Sequence, residues 1–148
     1  MKHISDEDKM RVALNEAKKA LVVDEVPIGA AIFDKDDNLI CANHNRRELD
    51  QNPTSHAEIL VLEEASQILG TWRLEEATIA VTLEPDAMCA GAIVNARIRK
   101  LIYSAPNLKG GAAYSLYNIP QDPRLNHCLL YTSPSPRDRT RSRMPSSA

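Results

Sequence analysis

Four side chains in this 148-residue chain have the types and spacing that metal-assisted hydrolysis requires. His56 and Glu58 stand two positions apart, and Asp86 and Cys89, three positions apart, follow Pro85 further along. Histidine, thiolate and carboxylate are the usual protein donors to zinc, and three of them leave a fourth position for water, whose pKa the metal lowers towards neutrality. A carboxylate that is not itself a ligand can carry protons to and from the reacting molecule, and Glu58 is the candidate for that role. Residues three apart on a helical turn face the same way, so Asp86 and Cys89 can point at one ion.

An H-x-E pair followed by P-C-x-x-C is the pattern of zinc deaminases, in which His and two Cys hold the metal and the Glu moves protons. Here Asp86 occupies the first Cys position. A His56, Asp86, Cys89 site is chemically sound, but aspartate is a harder donor than a thiolate. Losing a residue that merely orients a ligand lowers affinity or activity about 10- to 100-fold, so losing a ligand thiolate is expected to impair the site at least as much. Each residue also has a reading without catalysis. Ser55 with Glu58 fits an S-x-x-E capping box, and Asp86 behind Pro85 suits the first turn of a helix, which by itself accounts for Asp86. Three cysteines are too few for a disulfide framework, and Cys41 and Cys128 read as bystanders.

The elements that must position these residues follow from periodicity. Ser5 with acidic residues after it reads as a helix cap, and Met10, Ala13, Leu14, Ala17 and Leu21 recur at helical spacing. Residues 27–33, a polar turn at 34–38 and residues 39–42 read as a hairpin that delivers Asn43, His44 and Asn45. A loop over 46–55 leads to a helix marked by Ala57, Leu60, Val61, Ala65 and Ile68 and stopped by Gly70. Residues 78–83 form a strand closed by Glu84 and Pro85, 86–96 a helix, 100–103 a strand, and 110–117 a short helix. Strands alternating with helices imply an α/β layered domain, in which the two helix starts carrying His56 and Asp86 can meet above the sheet edge.

Composition bounds the rest. With 43% hydrophobic and 26% charged residues the chain holds one core and one domain. No stretch approaches the run of about 18 apolar residues that a membrane span needs, and residues 1–10 are too charged for a signal peptide, so the chain reads as cytoplasmic with no membrane partner. The net charge of −2 divides into −5 for residues 1–128 and +3 for residues 129–148, which excludes a generally basic nucleic-acid binder. Local basic clusters remain at Arg46 and Arg47, at Arg97, Arg99 and Lys100, and at Lys109. Residues 129–148 hold five Ser, three Pro and four Arg with little to bury, and are expected to be a disordered, non-native tail.

Several segments together resemble the bacterial tRNA adenosine deaminase family, the TadA type within the cytidine deaminase-like superfamily. They are Glu25-Val-Pro-Ile-Gly-Ala, His44-Asn-Arg, Pro53-Thr-Ser-His-Ala-Glu, Trp72-Arg-Leu, Thr82-Leu-Glu-Pro, Met88-Cys-Ala-Gly-Ala, Asn95-Ala-Arg-Ile, Gly111-Ala-Ala-Tyr-Ser-Leu and Asp122-Pro-Arg-Leu-Asn-His. The resemblance spans residues 8–127 and implies a cytidine deaminase-like domain over 1–128. The implied fold is a three-layer α/β/α arrangement with a mixed sheet of about five strands, the family's C-terminal strand and helix being missing. It further implies a homodimer, one zinc per subunit, and conversion of the wobble adenosine in a tRNA anticodon stem-loop to inosine.

Position by position, the resemblance makes His56 and Cys89 zinc ligands with Asp86 at the third ligand position, and Glu58 the proton shuttle. The nucleotide is flipped into a pocket, activated water attacks adenine C6, Glu58 protonates N1, and ammonia leaves. Asn45 matches the asparagine that contacts the flipped nucleoside, Ile28 lines the pocket, and Lys109 with the other basic residues meets phosphates. Asn107 stands where the family commonly has Asp beside the substrate backbone, so an anionic acceptor becomes an amide that also donates, which loosens the expected discrimination for RNA. Two other readings share the motif core. One is a deaminase of free guanine or cytosine nucleotides, against which the segments at Met88 and Asp122 speak. The other is a metal-poor, non-catalytic RNA-binding or dimerising relative, against which retention of Glu58 speaks.

Overall fold

The computed structural model describes residues 4–125 and 129–132. Ser5 starts α1 (Asp6–Val22) with a reciprocal cap, its Oγ accepting from Asp8 N at 3.1 Å while Asp8 Oδ2 accepts from Ser5 N at 3.3 Å. The expected hairpin is β1 (Gly29–Phe33) and β2 (Leu39–His44), followed by α2 (Ala57–Leu69) and β3 (Thr78–Leu83). Then come α3 (Ala87–Asn95), β4 (Lys100–Ala105), a 3-10 turn at Ile119–Gln121 and β5 (Leu130–Thr132). Gly70 ends α2 with φ of 70°, a left-handed conformation that glycine adopts without strain.

The strands form one mixed sheet in the order β2-β1-β3-β4-β5. β1 pairs antiparallel with β2 and β3, while β3, β4 and β5 run parallel. Alternate residues feed two cores, as pleated strands buried on both faces require. Ala31, Phe33, Ala80 and Ile102 pack under Met10 and Ala13 of α1, whereas Ile32, Ile79, Val81, Leu101 and Tyr103 pack with Val61, Leu62, Ala65, Ile93 and Val94 of α2 and α3. The fold is the three-layer α/β/α arrangement that the sequence implies.

Of the apolar residues at helical spacing in α1, Met10, Ala13 and Ala17 are buried, while Leu14 and Leu21 are exposed and Ala20 is buried beside them. Two expectations are corrected. Residues 110–117 form turns rather than a helix, because the amides of Ala113, Tyr114 and Ser115 donate to the Glu84 carboxylate and not to carbonyls one turn back. Within the segment expected to hold no structure, Leu129 is buried and Leu130–Thr132 pair with Lys100, Leu101 and Ile102 of β4. The strand expected to be missing is therefore present as the three residues Leu130–Thr132, the last of the described residues. Residues 133–148, like His127 and Cys128, lie outside the described residues.

Candidate active site

Ligand sites in sheets of this kind form beyond the carboxyl ends of the parallel strands. The antiparallel register brings Gly29 opposite His44 and Ala30 opposite Val81, so the start of β1, the end of β2 and the end of β3 share that edge. The loops there carry Ile28, Asn45 and Asn107, and both α2 and α3 begin there, with His56 and Asp86 as their N-caps.

Among the described residues, one group of metal-ligating side chains comes together: the donor atoms of His56, Asp86 and Cys89 all lie within 4.8 Å of one another. His56 Nδ1 is 3.5 Å from Asp86 Oδ2 and 3.5 Å from Cys89 Sγ. Ligands about 2.0–2.3 Å from a tetrahedral zinc stand roughly 3.3–3.6 Å from each other, so these spacings match. Asp86 divides its two oxygens. Oδ1 accepts from Cys89 N at 2.9 Å and caps α3, while Oδ2 faces His56. Helix capping and ligation are therefore compatible in one carboxylate. The donor set also keeps two ionisable anions, one carboxylate and one thiolate, to balance a divalent cation.

The capping-box reading of Ser55 and Glu58 does not hold. The cap position of α2 is His56, without a side-chain cap bond, and Ser55 Oγ donates to Asp50 Oδ2 at 3.2 Å. Glu58 is instead turned into the site, 4% exposed. Burial pushes its carboxyl up from 4.5 to about 7, with the Asp86 charge adding to the rise. The same burial, with Glu58 and Asp86 as neighbouring anions, holds the Cys89 thiol far above its ordinary value, and a bound cation reverses that preference.

Two small cavities open here. One of about 180 Å³ is lined by Ile28, His56, Glu58, Glu84, Asp86 and Asn107, among others. The other, of about 70 Å³, lies between Val26, Ile28, Asn45, Arg47, His56 and Glu58. Ile28, Asn45 and Asn107 are thus brought to the site, with Asn45 Oδ1 accepting from Arg47 N at 3.0 Å and Asn107 Oδ1 from Gly110 N at 3.1 Å. Lys109 is not: it stands exposed on the turn beyond Asn107 and lines neither cavity. The basic clusters also separate. Lys100 pairs with Asp6 at the far end of β4, Arg99 donates to Thr78 at that same end, and Arg97 lies past the carboxyl end of α3, 5.6 Å from the Trp72 ring. Only Arg46, Arg47 and Lys109 of those clusters are on loops at the site's edge.

Two residues given no role from the sequence are Glu25 and Glu84. Both are buried carboxylates that accept from loop amides at this edge. The available signal was a glutamate closing an otherwise apolar strand just before Pro85.

The three donor atoms could hold one metal ion beside a buried carboxylate, on a deaminase-like fold, and comparison with known proteins narrows the class. The family model for MafB19-like deaminases matches residues 4–130. A tRNA-specific adenosine deaminase from Bacillus subtilis is 49% identical over 122 residues, covering 82% of this chain and 75% of that protein. One from Aquifex aeolicus is 46% identical over 118 residues, covering 80% and 78%. A solved tRNA:A34 deaminase, studied for A-to-I editing at the wobble position of transfer RNA, superposes with a TM-score of 0.82 at 42% identity over 86% of this chain and 97% of that one. A guanine deaminase from Bacillus subtilis is more distant, with a TM-score of 0.67 at 29% identity. The chain belongs to the bacterial tRNA adenosine deaminase family.

Proposed function

We propose that this protein converts the wobble adenosine of a tRNA anticodon loop to inosine by zinc-dependent hydrolysis. The observation that carries the reading is the convergence of the His56, Asp86 and Cys89 donor atoms beside the buried carboxyl of Glu58, in a chain of this family. His56 through Nδ1, Asp86 through Oδ2 and Cys89 through Sγ hold one zinc per subunit, and zinc, when bound, makes hydroxide available at neutral pH.

The protein's own residues do the remainder. The adenosine is flipped out of the anticodon loop, since its C6 cannot otherwise reach the cavity. Ile28 packs against the base, and the amide group of Asn45, its oxygen already engaged by Arg47 N, is left to donate. Glu58 gives a proton to adenine N1, takes up the proton carried by the oxygen added at C6, and passes it to the departing amine, which leaves as ammonia. Asn107 meets the sugar-phosphate chain with an amide where the family commonly has a carboxylate. Arg46, Arg47 and Lys109 supply a salt-sensitive attraction for phosphates. One thiolate instead of two lowers zinc affinity, so turnover falls below that of a His/Cys/Cys centre.

The proposed working form is a homodimer of the cytoplasm, with its deaminase-like domain over residues 1–128 and β5 added to the same sheet. Supporting the dimer is an open depression of about 680 Å³ between α2 and α3, lined by Ile59, Leu62, Trp72 and Ala92 together with the polar Glu63, Ser66, Gln67 and Asn95. Among the described residues no helix is long and apolar enough to cross a membrane.

The test is inosine formation in an anticodon stem-loop with adenosine at the wobble position, on zinc-loaded protein. Inosine is expected. Salt-dependent binding of the stem-loop without inosine would establish the non-catalytic reading instead, and deamination of free guanine alone would establish the nucleobase reading.

A further inference from the structure

Glu84 is the most heavily bonded side chain at the site and takes no part in the chemistry above. It is 1% exposed and sits one residue past β3, its amide donating to Ala105 O at 2.8 Å. Its Oε1 accepts from Asn107 N at 3.1 Å and from Ser115 Oγ at 2.5 Å. Its Oε2 accepts from the consecutive amides of Ala113, Tyr114 and Ser115 at 3.1, 2.7 and 2.8 Å. One carboxylate thereby gathers both ends of the 107–115 loop. The loop is sealed further by Gly111 N donating to Asn107 O at 2.7 Å and by Ala112 N donating to Pro85 O at 2.8 Å. Gly111 is obligatory for this closeness, because a Cβ there would overlap both the Glu84 carboxyl and the Asn107 carbonyl.

The loop it holds bears Asn107 on the wall of the cavity shared with His56, Glu58 and Asp86. Asn107 spends its Oδ1 on Gly110 N, and its amide nitrogen, which makes no hydrogen bond among the described residues, is the group left for a ligand acceptor. We propose that Glu84 is a positioning residue for substrate recognition: by binding both ends of the 107–115 loop it fixes the Asn107 amide as a donor to an oxygen of the bound nucleotide. The inference rests on the proposed function for the identity of that ligand. Charge-assisted bonds to buried amides are strong enough to hold such a loop against the entropy of its release.

Glu84→Gln keeps the shape but replaces one acceptor oxygen with an NH2 group that must face donors. Expected for the zinc-loaded protein are a KM for the stem-loop raised roughly tenfold, kcat within about twofold, and zinc content unchanged. In an Asn107→Ala background the same change is expected to alter KM less than about twofold, because Glu84 acts through Asn107. Effects that multiply across the two substitutions, or a fall in kcat with KM unchanged, would overturn the proposal. Amide exchange reads the clamp independently of activity: the 113–115 amides lose protection in Glu84→Gln while those of α2 keep theirs. Unchanged protection at 113–115 would also overturn the proposal. A parent protein that makes no inosine but shows this exchange pattern would sink the proposed function and leave the clamp standing.

Discussion

Glu58 and Glu84 line the same cavity, and both are almost completely buried. Their surroundings are opposite. Glu84 is saturated by four backbone amides and a hydroxyl, which turns a buried charge into a fastener for the loop around it. Glu58, at the start of α2, has among the described residues only a backbone amide and Cys89 as hydrogen-bond partners, and burial, with the Asp86 charge added, raises its carboxyl to about 7. Residue type and depth do not separate the scaffold role of Glu84 from the proton-carrying role proposed for Glu58; the number of donors at the carboxylate does. A group that must pick up and release a proton has to be left short of partners, and one that must hold a loop has to be given all it can accept.

The contrast is open to attack at several points, beginning with the largest effect. Glu58→Gln cannot carry a proton and is expected to lower kcat by about 10²- to 10⁴-fold with zinc content intact, measured by inosine release. A fall of less than tenfold would remove Glu58 from the chemistry. The same variant tests the burial argument in metal-free protein. The folded value of about 7 lies above the 4.5 of an unburied glutamate, so the stability Glu58 contributes is fully present below 4.5 and declines as pH rises through 7. Denaturant melts should therefore find Glu58→Gln more stable than the parent at pH 8, by on the order of 3 kcal/mol, and show that margin gone at pH 4. A margin independent of pH would contradict the cause given for the shift.

A smaller effect is expected from Asp86→Cys. It restores a soft ligand at the family's spacing and raises zinc affinity and inosine formation together, about 10- to 100-fold, in competition titrations against a chelator. The gain will be seen against a slight loss of helix stability, because the Oδ1 cap to Cys89 N is given up. Smallest is Glu25→Gln. Glu25 accepts from Glu48 N and Leu49 N at 3.2 and 2.6 Å and anchors the loop leading to His56, away from Asn107. It should lower stability by about 1 kcal/mol in thermal melts and leave the KM-raising effect of Glu84→Gln unchanged.

Much of this was legible in the sequence, for physical reasons. The strands read over 27–33, 78–83 and 100–103 and the helix starts at Ser5 and Asp86 are set by local periodicity and capping chemistry, which a sequence displays directly. The convergence of His56, Asp86 and Cys89 was legible because ligand chemistry restricts which side chains can appear at which spacing, whereas Ile28, Asn45 and Asn107 follow from no such rule and Lys109 is not at the cavities. The 110–117 segment was misread because its amides are claimed by Glu84, roughly 30 positions upstream, and no local pattern announces a partner at that distance. β5 escaped notice because three residues inside a Ser-, Pro- and Arg-rich stretch carry no periodicity, and their pairing comes from the exposed edge of β4. The double use of Asp86 turns on which oxygen faces which partner, a distinction that exists only in three dimensions.

The central claim is that one histidine, one carboxylate and one thiolate form the metal centre. Zinc-edge X-ray absorption on the purified protein tests it most directly. Expected is one zinc per chain with a single sulfur at about 2.3 Å and the remaining ligands nitrogen or oxygen at about 2.0–2.2 Å. Two sulfurs, none, or protein that takes up no zinc would contradict it.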